Sequence, residues 1–445
     1  MALGILNAPS LEIPREGSSE SVFISPATDL YFNENDQSFY YYADGSFRLI
    51  SGTNISSGPL AQFIDKALDE NFPEVAITDA KIKEVVSALA RRIKNRITDP
   101  SPSPYIVFTN GTLDLKTLNL LPHDRAHHAT FSLPFAWLPS DLPHPNFDRY
   151  VARTFQDPEE RLLIKEMIGY YLTPFDQEPA VFFLFGPPRT GKTTIIEFLQ
   201  ALFTPTFASS FSLEALTTND TYIAELSGKL INIKDEDESE RISGDKFKLL
   251  ADHGILQARR LYQAPYSFRP YAKFLFSSND LPNFKNIEGV TRRLHFLRFN
   301  SPLPVQDQDK DFDQKLLQEA PQIVRTCLLA FQQVLHRNFE FTEPQSSTET
   351  KDELILSAHP ERTFIQEWTS VIPSDDESTW TPNHLLYSAY LNFCREKNHR
   401  PLNERNFHRR IASLPNIKLS RSTDTRKKNI RLLHDLSSAV VKEVI

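Results

Sequence analysis

The chain has 445 residues, 40% hydrophobic, with a formal charge of -8 and two cysteines. That length implies two to four domains with ordinary packed cores, and the acidic balance excludes a protein that holds nucleic acid by its overall charge, so any such contact needs local basic patches. Cys327 and Cys394 lie far apart, which excludes a cysteine-rich zinc site; no apolar run approaches the roughly 18 residues of a membrane span, and a reducing, cytoplasmic setting without membrane association is expected.

In chain order, residues 1–28 lack periodicity and are expected as a flexible lead-in. Residues 29–150 are expected as an α+β N-terminal domain. Leu30–Phe32, Phe39–Tyr42 and Phe47–Ile50 are short apolar runs separated by polar turns, which predicts an antiparallel meander. Apolar spacing of three and four predicts helices over Leu60–Leu68 and Ala80–Ile97. Ile106–Leu115, centred on Asn110-Gly111, predicts a hairpin. His123, His127 and His128 lie in a polar loop without cysteines or paired carboxylates and read as surface histidines.

The rest of the chain is organised around the stretch Val181–Leu202. Val181–Phe185 is a continuous apolar run, as in a strand buried on both faces. It passes into Gly186-Pro187-Pro188-Arg189-Thr190-Gly191-Lys192-Thr193, the phosphate-loop pattern, and Thr194 begins an amphipathic helix. The two glycines let successive N–H groups turn inward around a polyphosphate, the helix start favours an anion, Lys192 reaches the outer phosphates and Thr193 can ligate Mg2+. ATP with Mg2+ is the expected cofactor.

Hydrolysis also needs a carboxylate. Gly228–Lys234 reads as a strand ending on Asp235-Glu236, so Asp235 is expected at the metal and Glu236 at the attacking water, with Thr193 and Glu236 also expected among the metal's ligands. Ala272–Asn279 is a further strand, ending on an amide able to report the outermost phosphate. Arg292 and Arg293 precede the strand Leu294–Phe299 and are candidates for an arginine that reaches a neighbouring subunit's nucleotide.

Phe312–His336 has helical spacing and is expected to close a motor domain over 151–338, followed by a linker over 339–360. Residues 361–445 hold three helix candidates, Glu361–Val371, Asn383–Glu396 and Asn403–Leu414, and two strand-like runs around a basic turn. That order suggests a winged helix. Arg405, Arg409 and Arg410 would face DNA from its recognition helix, and Arg426, Lys427 and Lys428 from the wing tip. A protein-docking module is the competing reading of the same fold.

The order GPPRTGKT, LINIKDE, KFLFSSN and VTRRLHFLRF is similar to that of superfamily 3 helicases, in particular the phage, plasmid and poxvirus primase-helicase branch of the AAA+ ATPases. TNGTLDLKTLNLLPH, FSLPFAW and MIGYYLTP resemble the domain that precedes the motor in that branch. The resemblance implies an α/β parallel-sheet core, nucleotide bound by Gly191, Lys192 and Thr193, Glu236 as acidic catalytic residue, Asn279 as sensor, and Arg292 or Arg293 as a finger across the interface of a ring, expected as a hexamer. It also implies a DNA-contacting hairpin between the acidic motif and the sensor, where Lys246, Lys248, Arg259 and Arg260 stand, with its turn at Gln263-Ala264-Pro265. Ala251-Asp252-His253-Gly254 departs from the branch's usual Thr-Gly-Gly-Asp. The expected function is an ATP-dependent, ring-forming replicative helicase acting on single-stranded or forked DNA. No paired-carboxylate polymerase motif is evident, so priming is expected from another protein. An ATP-dependent initiator or regulatory switch that does not unwind processively is the alternative, and an AAA+ ATPase acting on protein is a third.

Overall fold

The computed structural model describes residues 8, 10–14, 21–33, 38–50, 59–71, 74, 76–97, 103–175, 177, 179–235, 242–259, 265–284, 287–302, 309, 311–373, 375–397, 401–420 and 426–433. Its centre is a five-stranded parallel sheet whose strands we number β1 (Val181–Phe185), β2 (Ala208–Ser209), β3 (Ile231–Lys234), β4 (Lys273–Ser278) and β5 (Leu294–Arg298). The order across the sheet is β2-β3-β4-β1-β5, with every neighbouring pair parallel. Thus β1 lies between β4 and β5, and the chain leaves it first to one side and last to the other. In open α/β sheets, ligands bind outside the carboxyl ends of strands at such a reversal.

The strands read as unbroken apolar runs because both faces are covered. Alternate residues divide between two cores: Phe182 and Leu184 pack with helices Pro158–Leu172, Lys192–Phe207 and Ala320–His336, whereas Val181 and Phe183 pack with the opposite layer, including Leu213, Phe247 and Leu354. Pro158–Leu172 and Ala320–His336 approach closely at Gly169, where a Cβ would stand 2.1 Å from the Cys327 carbonyl oxygen. Lys192–Phe207 kinks at Thr204 just before Pro205, which cannot donate to the helical ladder.

Residues 339–360 are not a linker. Gln345–Ala358 is a helix packed along β5, the sheet's edge, with Ser347 and Leu354 buried. Ser347 Oγ accepts from the Phe296 backbone N–H at 3.2 Å, satisfying a donor that the edge strand would otherwise leave open. The segment is also tied by Arg298–Glu353 at 2.7 Å and by Thr342 N–H to the buried Glu166 carboxylate at 2.9 Å. Polar composition suggested a spacer because this helix buries few large side chains.

In the amino-terminal region, Leu30–Asn33, Ser38–Ala43 and Ser46–Leu49 form the meander, joined by Arg96–Ile97 parallel to the first of them. The helix of Asp79–Arg92 therefore stops five residues before Ile97, and Ile97 serves the sheet instead. The expected flexible lead-in contains a paired hairpin, Leu11–Pro14 with Ser21–Ile24, anchored by buried Leu11, Ile13 and Ile24. Residues 29–150 feed three cores: most buried apolar residues from Leu30 to Ile93 share one, Tyr40, Phe47 and Ile97 make a small second, and Ile106 to Tyr150 join that of the parallel sheet.

The carboxyl-terminal region has helices Pro360–Trp368, Asn383–Glu396 and Glu404–Ala412, close to the expected spans. Around them Thr369–Val371 pairs with Ile430–Leu432, and Thr381–Pro382 with Lys427–Lys428. Phe364, Tyr390, Phe393, Phe407 and Ile430 make their common core.

Candidate nucleotide site

The apolar run of β1 ends where the chain must turn beside another backbone. Gly186 has φ +144°, and a Cβ there would stand 2.2 Å from the Phe299 carbonyl oxygen. Gly191 has φ +98° and caps the following helix. Between them Arg189 is also left-handed, Thr190 Oγ1 donates to the Pro187 carbonyl at 2.9 Å, and Pro187, Pro188 and Arg189 are exposed. From outside, Tyr150 Oη donates to the Gly191 carbonyl at 2.9 Å. These bonds brace the loop from within the chain.

Lys192 begins the helix and is 6% exposed. Its Nζ donates to the carbonyls of Gly186 and Pro187, the latter at 2.9 Å, and to Asn279 Oδ1 at 2.9 Å. A polyphosphate in the loop would bring negative charge to this ammonium. Thr193 Oγ1 donates to Asp235 Oδ2 at 2.9 Å, and the buried Ser277 hydroxyl donates to Asp235 Oδ1. Asp235 stands at the end of β3, and Ser277 and Asn279 at the end of β4. The parallel register carries these groups and the phosphate loop to one edge of the sheet.

Glu197 lies one helical turn beyond Thr193. Its carboxyl is pushed above the ordinary range by burial, then by the hydrogen bond and charge of Asp313, then by the charge of Asp235. One hydroxyl and one carboxylate side by side suit Mg2+, which keeps waters and takes its remaining ligands from phosphate oxygens. Among the described residues no cluster of three or more His, Cys, Asp and Glu forms a metal cage. The residues fit a metal that arrives with its nucleotide. Glu236 lies outside the described residues.

Ser277 and Tyr150 escaped sequence reasoning. Ser277 stands two residues before Asn279, directly after the apolar run Phe274–Phe276, a signal that could have flagged it. Tyr150 lies 41 residues before the glycine it meets, and nothing local announces that pairing.

The arginine pair separates. Arg292 is exposed. Arg293 is 3% exposed, donates from Nε to Asp252 Oδ1 at 2.5 Å, bonds the other oxygen through Nη2, and reaches the Gly289 carbonyl through Nη1. An arginine held by this fork is not presented to a neighbour, so Arg293 is corrected from finger candidate to internal partner.

The expected DNA contacts divide similarly. Leu256–Ala258 and Tyr266–Phe268 form the antiparallel hairpin, whose Arg260 and Gln263 lie outside the described residues. Arg259 is exposed; Lys246 pairs with Asp220 at 3.1 Å and Lys248 with Asp245 at 2.9 Å. In the carboxyl-terminal region Arg405, Arg409 and Arg426 are exposed and Lys427 is half-buried. Arg410 bonds the buried Glu361 carboxylate at 3.3 Å. Lys428 is 1% exposed and donates to Asn383 Oδ1 at 2.8 Å, with His408 Nδ1 at 3.1 Å. Burial, then the charge of Arg426, pushes its ammonium down to about 8. Lys428 is therefore an interior residue rather than a wing-tip contact, because Lys427–Lys428 pairs with Thr381–Pro382 and turns the Lys428 side chain inward.

Three protein families match segments of the chain. Residues 29–156 match the family described as D5 N terminal like, 362–440 the family described as poxvirus D5 protein-like, and 184–293 a family of unknown function. The chain matches no curated protein. Apo structures of the NrS-1 C-terminal region align at 11% identity and TM-score 0.47 over 91% of this chain and 95% of theirs, at 11% and 0.49 over 90% and 96%, and at 13% and 0.46 over 90% and 95%. Scores of that size assign no activity to this chain. The two segments that match D5-type families lie on either side of the phosphate loop. Among the described residues no helix is long and apolar enough to cross a membrane.

Proposed function

We propose that the chain is an ATP-dependent DNA motor of the superfamily 3, AAA+ type, working as a ring on single-stranded or forked DNA during replication. The supporting observation is the meeting of three strand ends at one edge of the sheet: Lys192 on Asn279 and Thr193 on Asp235. A loop that only bound an anion would not need the second and third strands to deliver a metal-binding carboxylate and an amide to it. Mg2+ brought with ATP would neutralise charge on the phosphates being separated. The chain's part is to hold the nucleotide. Loop N–H groups and Lys192 bind the phosphates, Thr193 and Asp235 orient the metal, and Asn279 places its amide at the outer phosphate. Glu236 is assigned to the attacking water, and Arg292, exposed beside the buried Arg293, to the neighbouring subunit's nucleotide.

The carboxyl-terminal helices and paired short strands are read as a winged helix that holds DNA through Arg405, Arg409 and Arg426. Ring assembly, a replication role with priming supplied by a separate protein, and an intracellular setting belong to the same reading. The test is ATP hydrolysis and fork unwinding by purified protein, followed by mixing. Lys192→Ala and Arg292→Ala proteins, each inactive alone, recover part of the ATPase rate when combined, because some mixed interfaces contain one complete site. Normal hydrolysis by Arg292→Ala alone rejects the shared site, and stimulation by DNA without unwinding selects a switch over a helicase.

A further inference from the structure

The Asp252–Arg293 pair joins two elements that the sequence keeps 41 residues apart. On one side Arg293 closes the turn Thr291–Arg293 and leads directly into β5, which is hydrogen-bonded along β1, the strand of the phosphate loop. Arg292 stands exposed on that turn. On the other side Asp252 ends the helix Gly244–Ala251, its N–H bonded to the Lys248 carbonyl at 2.9 Å. The chain then turns through left-handed His253 and through Gly254, whose N–H reaches the Leu249 carbonyl at 2.8 Å, and enters the hairpin at Leu256.

The second arm of the hairpin is held at the same place. His253, 3% exposed, places Nδ1 3.0 Å from the carbonyl of Pro270, two residues beyond the end of the arm at Phe268. Lys248 adds a contact to the Glu288 carbonyl at 3.4 Å, beside the Gly289 that Arg293 also bonds. Both roots of the hairpin and the arginine turn are therefore bonded into one block. A guanidinium fork on a carboxylate fixes orientation as well as distance, which a lysine or an apolar contact would not.

We propose that Asp252 and Arg293 are positioning residues that hold Arg292 in register with the hairpin root, so that capture of a phosphate by Arg292 at the neighbouring site displaces the hairpin. This rests on the reading of Arg292 as the residue that completes the neighbour's site. It accounts for the departure at Ala251–Gly254: the aspartate at position 252 is the group that takes the fork.

The experiment measures ATPase rates with and without single-stranded DNA, binding of a fluorescent ATP analogue, and thermal melting. The proteins are wild type, Asp252→Asn, the double variant Asp252→Asn/Arg293→Met, and Arg292→Ala. The double variant removes both charges, so no uncompensated ion remains if Asp252→Asn alone folds poorly. Expected for the double variant are analogue affinity within about twofold of wild type and stimulation by DNA reduced at least about fivefold. Undiminished DNA stimulation in the folded double variant, with Arg292→Ala inactive, overturns the strut and leaves the shared site standing. Normal hydrolysis by Arg292→Ala removes the shared site and the strut together.

Discussion

The Lys192 ammonium and the Asn279 side-chain oxygen stand 2.9 Å apart, although 87 residues separate them. The bond links the phosphate loop at the end of β1 to the end of the adjacent β4, so each group is positioned by a different strand. Removing either has a distinct consequence. Lys192→Ala removes the charge that meets the phosphates, and is expected to abolish measurable ATP hydrolysis and weaken nucleotide binding. Asn279→Ala keeps the charge, and is expected to lower kcat by about 10²-fold with a KM shift below about threefold, since the amide serves the reacting phosphate more than the bound one. Steady-state kinetics separate the two; a large rise in KM with unchanged kcat for Asn279→Ala would reassign the amide to simple binding.

Ser277 bonds Asp235, so if Asp235 holds Mg2+ as proposed, the loss of Ser277 is expected to be felt through the metal. Ser277→Ala removes one hydrogen bond to the carboxylate, worth about 1 kcal/mol. Outer partners of ligating groups typically tune metal affinity by about tenfold or more. The Mg2+ concentration for half-maximal ATPase is expected to rise about tenfold, with the rate at saturating Mg2+ nearly restored. Titration of the ATPase with Mg2+ reads this directly, and an unchanged Mg2+ requirement would reject it.

The carboxyl-terminal cations are expected to separate by burial. Alanine at Arg405, Arg409 or Arg426 should weaken DNA binding and lower the slope of log affinity against log salt by about 1 for each phosphate no longer neutralised. Lys428→Met should leave that slope unchanged while lowering stability by about 1–3 kcal/mol, because the Asn383 oxygen and His408 Nδ1 lose a buried donor. Fluorescence anisotropy across a salt series and chemical denaturation measure the two effects on the same proteins.

Glu343 makes stability depend on acid. Burial alone would raise its carboxyl, but hydrogen bonds from His295, Lys351 and Ser347 outweigh burial and hold it at about 2. A carboxyl lower in the folded than the unfolded chain contributes stability that is complete above the ordinary value, about 4.5, and is lost as pH falls toward 2. Wild type is therefore expected to lose more melting temperature between pH 5 and pH 2.5, values chosen to bracket that window at about its two ends, than Glu343→Gln does. Parallel curves for the two proteins would remove Glu343 as the cause.

Much was legible in residue order alone. Gly186 to Thr193 was legible as a strand-to-helix loop because its two glycines take the positive-φ positions that end the strand and begin the helix, and an unbroken apolar run before them required a strand covered on both faces. Asp235 and Asn279 were legible because each ends such a run. The helices of the carboxyl-terminal region followed from apolar spacing in the same way. Other features rested on partners distant in sequence. Arg292 and Arg293 are identical in composition and adjacent in sequence, and only Asp252 across the fold turns one inward and leaves the other exposed. Lys428 looked like its neighbours Arg426 and Lys427 until strand pairing placed it against Asn383 and His408. The supposed linker became the cover of β5 because an edge strand's unpaired donors need partners, and Ser347 supplies one. Periodicity reports which face of an element is apolar, but which charged group finds a buried counterpart depends on how the elements meet.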